Sequence, residues 1–216
     1  MIRQCVALFS LILTLMAWPL ASSAQQSPVL LIVGDSLSAG YGIPQGKEWV
    51  HLLRQSLQAR EEPIQVVNAS ISGDTTSGGR SRIEPLLQRE NPDWVLIELG
   101  GNDGLRGMSL SAMEANLQAM VDTVKQQGAQ PLLAGIKIPP NYGSKYRTRF
   151  EQVFVTVAAR NDVPLLPFLL DGVGGQDKLM QADRIHPNVE AQPLIADNVL
   201  AFLQPVIVDR QRSPAQ

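Results

Sequence analysis

Cysteine and histidine are scarce in this chain of 216 residues, which contains one Cys and two His. A single cysteine, Cys5, cannot form an internal disulfide, so an apolar core has to stabilise the fold. So few thiols and imidazoles also argue against a structural zinc site. Lys and Arg number 18 against 20 Asp and Glu, which gives a net charge of −2 without any basic cluster. This charge pattern argues against a nucleic-acid partner.

The longest apolar run covers residues 6–20, close to the N-terminus and just after Arg3. Small residues follow at 21–24, where a signal peptidase would cleave. This pattern predicts a secretory signal peptide over residues 1–24, with cleavage after Ala24 and no membrane-inserted segment afterwards. An uncleaved anchor is the alternative, but the apolar run falls short of the roughly 20 residues that a membrane span needs.

The remaining residues, 25–216, have the length of one domain and alternate between strand and helix patterns. Short runs of apolar and β-branched residues predict five strands, at 29–33, 64–67, 93–99, 131–138 and 163–166. Helical spacing predicts helices at 48–60, 80–89, 109–127, 145–160 and 187–203. Ser109 or Ser111 can cap the third of these helices, and Gly128 suits its end. The alternation predicts right-handed βαβ units and therefore an α/β fold with a parallel sheet.

Three polar clusters follow the first three predicted strands. They are Gly34-Asp35-Ser36, the segment 70–74 and the segment 100–103. The carboxyl ends of parallel strands meet at one edge of a sheet, where such folds place their functional residues. One cluster alone would be an ordinary turn, but three clusters together with Asp183-Arg184-Ile185-His186 are typical of a catalytic site.

The residue types in these clusters suit nucleophilic acyl transfer. The Ser36 hydroxyl is a weak nucleophile until a base removes its proton, and His186 is the candidate base. Asp183 precedes His186 by three residues and can fold back to hold the imidazole Nδ1–H. The backbone N–H groups of Ser36 and Gly73 and the side-chain amide of Asn102 are the candidate donors to the oxyanion.

Other polar residues have simpler interpretations. Asp35 and Asp74 are expected to be turn residues that bond their own backbone rather than catalytic acids. Asp103 is ambiguous and could brace the loop that carries Asn102. His51 lies within the first predicted helix without a partner motif, which is typical of a surface or packing residue.

Two rival motifs fail on spacing. The glycines at Gly34, Gly40 and Gly42 do not match G-x-G-x-x-G, and no Gly-Lys-Ser/Thr follows, which argues against nucleotide binding. The G-x-S-x-G elbow is also absent, so the ordinary α/β-hydrolase fold is not expected.

Four sequence blocks resemble the SGNH (GDSL) hydrolases, in the order that this family shows. The blocks are GDSLSAGYG at 34–42, SISGDT at 70–75, LGGNDGLRG at 99–107 and DRIHPN at 183–188. The likeness is closest to the bacterial periplasmic thioesterase I/lysophospholipase group, which also has arylesterase activity. PPNYG at 139–143 and VPLLPF at 163–168 add to it.

The resemblance implies a fold and a set of roles. The fold would be a three-layer α/β/α sandwich with a five-stranded parallel sheet, flavodoxin-like, without a metal or cofactor. The nucleophile falls on Ser36, the further oxyanion residues on Gly73 and Asn102, and the acid and base on Asp183 and His186. The loop 103–108 corresponds to a segment thought to move when substrate binds.

We therefore expect a monomeric periplasmic serine esterase whose partners are small-molecule acyl esters and thioesters, including aryl esters and lysophospholipids. A carbohydrate O-acetylesterase of the same superfamily is the nearest alternative. The apolar residues Leu105, Ile136 and Ile138 favour a longer acyl chain, and Leu105 and Ile138 are the candidate substrate-binding residues. A non-catalytic secreted binding module is the alternative from another class, and the intact Ser36, His186 and Asp183 argue against it.

Overall fold

A computed structural model describes residues 27–61 and 63–212, so the expected signal peptide lies outside the described residues. The strands are β1 (Val29–Gly34), β2 (Gln65–Asn68), β3 (Trp94–Glu98), β4 (Gln130–Ala134) and β5 (Leu165–Leu166). The helices are α1 (Ser36–Ala39), α2 (Trp49–Gln58), α3 (Thr76–Glu90), α4 (Gly101–Leu105), α5 (Leu110–Gln126), α6 (Ser144–Asn161) and α7 (Gln192–Arg212). Short 3₁₀ turns occur at Pro140–Tyr142, Asp177–Leu179 and Val189–Ala191.

The five strands form one parallel sheet in the order β2-β1-β3-β4-β5. This confirms the predicted sheet. The strand order reverses between β1 and β3, and in such sheets the crevice outside the carboxyl ends at this reversal is where ligands bind. The polar clusters after β1, β2 and β3 therefore share this edge.

Helices cover both faces of the sheet. Side chains alternate between the faces along each strand, so both faces present apolar side chains that have to be buried. Leu30 and Ile32 of β1 pack with α2 and α7, while Leu31 and Val33 pack with α3, α5 and α6. The three-layer sandwich is thus confirmed. Trp49 and Trp94 lie in the core and are 0% and 3% exposed.

Most of helix α7 falls in the stretch Val189–Val208, which is long and apolar enough to cross a membrane by length and composition alone. Its residues Ile195, Val199 and Leu203 are buried in the core beside α2. The buried Gln192 accepts a hydrogen bond from the Trp49 N–H at 2.9 Å, which joins the starts of the two helices. Packing within the domain therefore accounts for the apolar character of α7.

Several predicted boundaries were wrong. Helix α3 begins at Thr76 rather than near residue 80, because Thr75 caps it and accepts from the Gly78 N–H. Strand β4 ends at Ala134 and not at Ile138, since β5 offers a partner of only two residues. Helix α7 begins at Gln192, five residues later than the sequence predicted.

The cap of α5 is Ser109, whose side chain accepts from the Ala112 N–H, and Gly128 follows its end with φ +79°. Both features agree with the sequence. The short helices α1 and α4 were not predicted, and they carry Ser36 and Asn102.

Candidate active site

Ser36 is the first residue of α1, directly after strand β1. Asp35 caps this helix by accepting the Leu37 N–H at 3.0 Å, and Gly40 ends it with φ +74°. The chain therefore turns sharply at the carboxyl edge of the sheet. Asp35 does bond its own backbone, as expected, but it is also buried at 2% exposure.

Ser36, His186 and Asp183 are brought into one hydrogen-bonded line. Ser36 Oγ lies 2.8 Å from His186 Nε2, and His186 Nδ1 lies 2.6 Å from Asp183 Oδ2. An ionised carboxylate can only accept, so Nδ1 carries the proton and donates to Asp183. Nε2 then holds a lone pair and accepts the Ser36 hydroxyl, which is the arrangement that a general base needs.

The local backbone orients Asp183. Its Oδ1 accepts the N–H groups of Ile185 at 2.9 Å and His186 at 3.0 Å, and the intervening Arg184 takes φ +57°. Partial burial acts to raise the pKa of Asp183. Hydrogen bonds from the His186 ring and from both backbone N–H groups outweigh it, and the pKa lies below its ordinary value of 3.8. The carboxylate thus stays charged opposite the imidazole.

Asn102 lies in the first turn of α4 and faces the Ser36 corner. Its Nδ2 donates to Asp35 Oδ2 at 3.1 Å, and its Oδ1 accepts from Arg106 Nη2 at 3.4 Å. The same Arg106 nitrogen donates to the Gly73 carbonyl at 2.9 Å. Gly73 takes φ +81°, a backbone conformation that suits glycine. Sequence reasoning missed Arg106, whose only signal is its place four residues after Asn102.

A buried acid pair beneath the corner was also missed. Glu98 ends β3 at 0% exposure, and its Oε2 accepts Ser38 Oγ at 2.6 Å and the Asp35 N–H at 3.3 Å. Burial raises the pKa of Asp35 to about 6. Burial, and after it the Asp35 charge, raises the pKa of Glu98 well above 4.5. Two adjacent buried charges are costly, so ionisation of Asp35 favours the protonated form of Glu98. One acidic residue at the end of an otherwise apolar strand is the signal that could have revealed it.

Asp74 and Asp103 brace the neighbouring loops. Asp74 accepts the Thr75 N–H at 2.9 Å and pairs with Arg82 at 2.8 Å. Asp103, at 2% exposure, accepts both the N–H and the hydroxyl of Thr76, at 2.9 and 2.6 Å. This second pair of bonds joins α4 to α3, so Asp103 braces the Asn102 loop.

A cavity of about 480 Å³ adjoins Ser36 and His186. The two candidate substrate-binding residues, Leu105 and Ile138, both line it. Further apolar side chains line it: Leu37, Ile136, Phe168, Leu170, Met180 and Ile185. The basic residues Lys137, Arg147 and Arg184 also border it. The Tyr41 ring lies over the His186 ring at a centroid distance of 4.6 Å. The arrangement offers an apolar space beside an activated hydroxyl.

Metal-ligating side chains do not cluster in the described part of the chain: no group of three or more His, Cys, Asp or Glu could hold an ion there. The independence from metals and cofactors stays a prediction.

Known proteins similar to this chain include esterases and acylhydrolases. A family model described as "GDSL-like Lipase/Acylhydrolase family" matches residues 32–193. Thioesterase 1/protease 1/lysophospholipase L1 of Escherichia coli is 46% identical over 184 residues, which cover 85% of this chain and 87% of that protein. An arylesterase of Vibrio mimicus is 43% identical over 180 residues, covering 83% and 90%. The crystal structure of TesA superimposes with a TM-score of 0.81 at 48% identity, covering 82% and 99%.

Proposed function

Because this chain belongs to the GDSL-like lipase and acylhydrolase family, we propose that it hydrolyses acyl thioesters, aryl esters and lysophospholipids through an acyl-enzyme on Ser36. That it is a carboxylic ester hydrolase follows from the family and its esterase relatives. The finer proposal rests chiefly on one observation, the contact of 2.8 Å between Ser36 Oγ and His186 Nε2.

In the first half-reaction, Ser36 Oγ attacks the acyl carbonyl carbon as its proton passes to His186 Nε2. The imidazolium that forms is held by the Asp183 carboxylate, whose lowered pKa keeps it ionised. The same proton then passes to the leaving thiolate or alkoxide, and the acyl group stays bonded to Ser36. Water repeats the sequence in the second half-reaction and releases the free acid.

The tetrahedral intermediate carries a negative oxygen that requires donors. The proposed donors are the Ser36 and Gly73 N–H groups and the Asn102 amide. One Asn102 N–H is already directed to Asp35 Oδ2, which leaves the second for the oxyanion. Losing one such donor typically costs on the order of 100- to 1000-fold in turnover.

The cavity supports acyl substrates with several carbons. Leu105 and Ile138 present apolar surface beside Ser36, and each buried methylene contributes about 0.8 kcal/mol to binding. The names of the relatives include thioesterase, lysophospholipase and arylesterase, which fits a site that reads the acyl chain more than the leaving group.

We further propose that residues 1–24 are removed as a signal peptide and that the remainder works as a periplasmic monomer. N-terminal sequencing of the exported protein should begin at Gln25, and light scattering after size-exclusion chromatography should give one chain per particle. Retention of Arg3 in the exported protein would contradict the proposed cleavage.

A fluorophosphonate probe tests the nucleophile directly. It should label Ser36 at one mole per mole and abolish hydrolysis, and Ser36→Ala should neither be labelled nor turn over. Labelling at another residue with activity intact would refute the mechanism. A panel of p-nitrophenyl esters, acyl-CoA thioesters, lysophospholipids and acetylated sugars identifies the substrate class. Turnover confined to acetylated sugars would replace the proposal with the carbohydrate O-acetylesterase.

A further inference from the structure

One side chain, Arg106, joins two of the three segments from which the proposed oxyanion donors come. We infer that Arg106 is a positioning residue, which holds the Asn102 amide and the Gly73 peptide in the orientation that the oxyanion requires. This inference rests on the proposed function, since it concerns the same site. The loop with Gly73 follows β2, and Asn102 belongs to α4 after β3. Asp103 ties the backbone of α4 to Thr76 beyond this loop, whereas Arg106 contacts the Gly73 carbonyl and the Asn102 amide themselves.

The contacts of Arg106 come from a single atom. Its Nη2 donates to the Gly73 carbonyl at 2.9 Å and to Asn102 Oδ1 at 3.4 Å. Arg106 follows Asn102 by four residues, so both side chains lie on the same face of this helical turn. A guanidinium nitrogen has two hydrogens and can serve both oxygens at once.

The orientation of Asn102 matters because its amide has one donating end and one accepting end. Asp35 holds the Nδ2 end at 3.1 Å, and Arg106 holds the Oδ1 end from the opposite side. Without Arg106 the amide is held only at its Nδ2 end by Asp35, so its second N–H is directed at the substrate oxygen less closely. The loop carrying Gly73 is exposed, so loss of the bond to its carbonyl also loosens the direction of its N–H.

The backbone that carries Arg106 is itself anchored. The Arg106 N–H donates to the Asn102 carbonyl at 3.1 Å, and the Met108 N–H donates to the Asp103 carbonyl at 2.9 Å. Asp103 is buried and bonded to Thr76, which fixes this loop to α3. Arg106 therefore reaches Gly73 from a backbone held by these hydrogen bonds, although its own side chain is exposed to solvent.

Arg106→Met tests the inference, because it keeps most of the aliphatic stem and removes every donor. With p-nitrophenyl butyrate, a neutral ester, kcat should fall about tenfold, since donors are misdirected rather than removed. KM should change less than twofold, because the ground-state carbonyl depends little on these donors. Arg106→Lys restores one donor group and should recover part of the kcat.

Arg160→Met is the matched control. Arg160 is exposed and also donates to an amide oxygen, Gln118 Oε1 at 3.4 Å, but it lies on α6 away from the cavity. This variant should keep the kcat of the unmodified protein. The thermal midpoint of each variant shows whether a change in kcat has a folding cause.

A double-variant cycle identifies the route. In an Asn102→Ala background, Arg106→Met should lower kcat by about threefold or less, because only the Gly73 contact remains to be lost. An undiminished tenfold loss there would overturn the route through Asn102. A rise in KM at unchanged kcat would overturn the inference by making Arg106 a binding residue. Neither result would affect the proposed function as long as Ser36→Ala abolishes hydrolysis. If Ser36→Ala still hydrolyses the ester, the proposed function itself is refuted.

Discussion

Replacing Asp35 by asparagine should change the stability of this protein in a way that depends on pH. Burial raises the pKa of Asp35 from 3.8 to about 6. Each unit of difference between the pKa of Asp35 in the folded and in the unfolded state corresponds to about 1.4 kcal/mol. Ionised Asp35 therefore costs the folded state roughly 3 kcal/mol at neutral pH. The folded state binds the proton more tightly, and its stability falls as pH rises from about 4 to about 6.

The amide introduced by Asp35→Asn cannot ionise, so the variant escapes this cost. Asp35 accepts the Leu37 N–H with one oxygen and the Asn102 Nδ2 with the other, whereas an amide has a single oxygen. The variant therefore also loses one hydrogen bond, and this loss does not depend on pH. The informative quantity is therefore how the difference in unfolding free energy changes with pH. The variant should gain about 2 kcal/mol on the unmodified protein between pH 4 and pH 8, most of the linkage worked out above.

Urea unfolding followed by the fluorescence of the buried Trp49 and Trp94 measures this difference. Glu98 complicates it, because the Asp35 charge contributes to the raised pKa of Glu98. The comparison is therefore repeated in a Glu98→Gln background, where the second acid is absent. Asp122→Asn on α5 corrects for the loss of one negative charge. If the unfolding free energy of the Asp35→Asn variant does not rise relative to that of the unmodified protein between pH 4 and pH 8 in either background, burial is not the cause of the raised pKa.

Three further outcomes are expected. Asn102→Ala should lower kcat on the order of 100-fold or more with little change in KM, measured in steady state on p-nitrophenyl esters; a change in KM alone would make it a binding residue. Ile138→Ser should leave acetyl ester hydrolysis nearly unchanged and lower kcat/KM for decanoyl esters, whereas equal losses would refute the acyl groove. Gly79→Ala should destabilise by about 1 to 3 kcal/mol in urea, because the added Cβ would lie 2.2 Å from Leu99 Cδ1; unchanged stability would show that α3 has room to move.

The sequence predicted the layers of the fold better than the ends of its elements. Apolar runs placed all five strands, because buried parallel strands are apolar on both faces. The end of β4 was misplaced because the apolar residues Ile136 and Ile138 line the cavity instead of continuing the ladder. The start of α3 was missed because two glycines, Gly78 and Gly79, conceal a helix whose first turn is stabilised by the Thr75 cap and by Asp103.

The site was predictable where chemistry restricts the residue type. A serine after the first strand and an aspartate three residues before a histidine late in the chain have few common uses, and the structure brings Ser36, His186 and Asp183 together. Glu98 and Arg106 escaped notice for opposite reasons. Glu98 is the last residue of an apolar strand and is buried with it. Arg106 is an exposed arginine, which sequence alone does not distinguish from any other surface charge.

The sequence pattern did not reveal the short helices α1 and α4. They show why the polar contacts that the site needs also cost the fold some stability. Helices of four and five residues cannot persist alone, because nucleation costs more than so few bonds return. Buried polar contacts hold them instead: Asp35 to Asn102, Ser38 to Glu98, and Asp103 to Thr76. Apolar residues at these positions would remove the cost of buried acids, but they would release the helices that aim the hydroxyl and the amide. Local departures from apolar patterning therefore fall where the chemistry requires fixed polar groups.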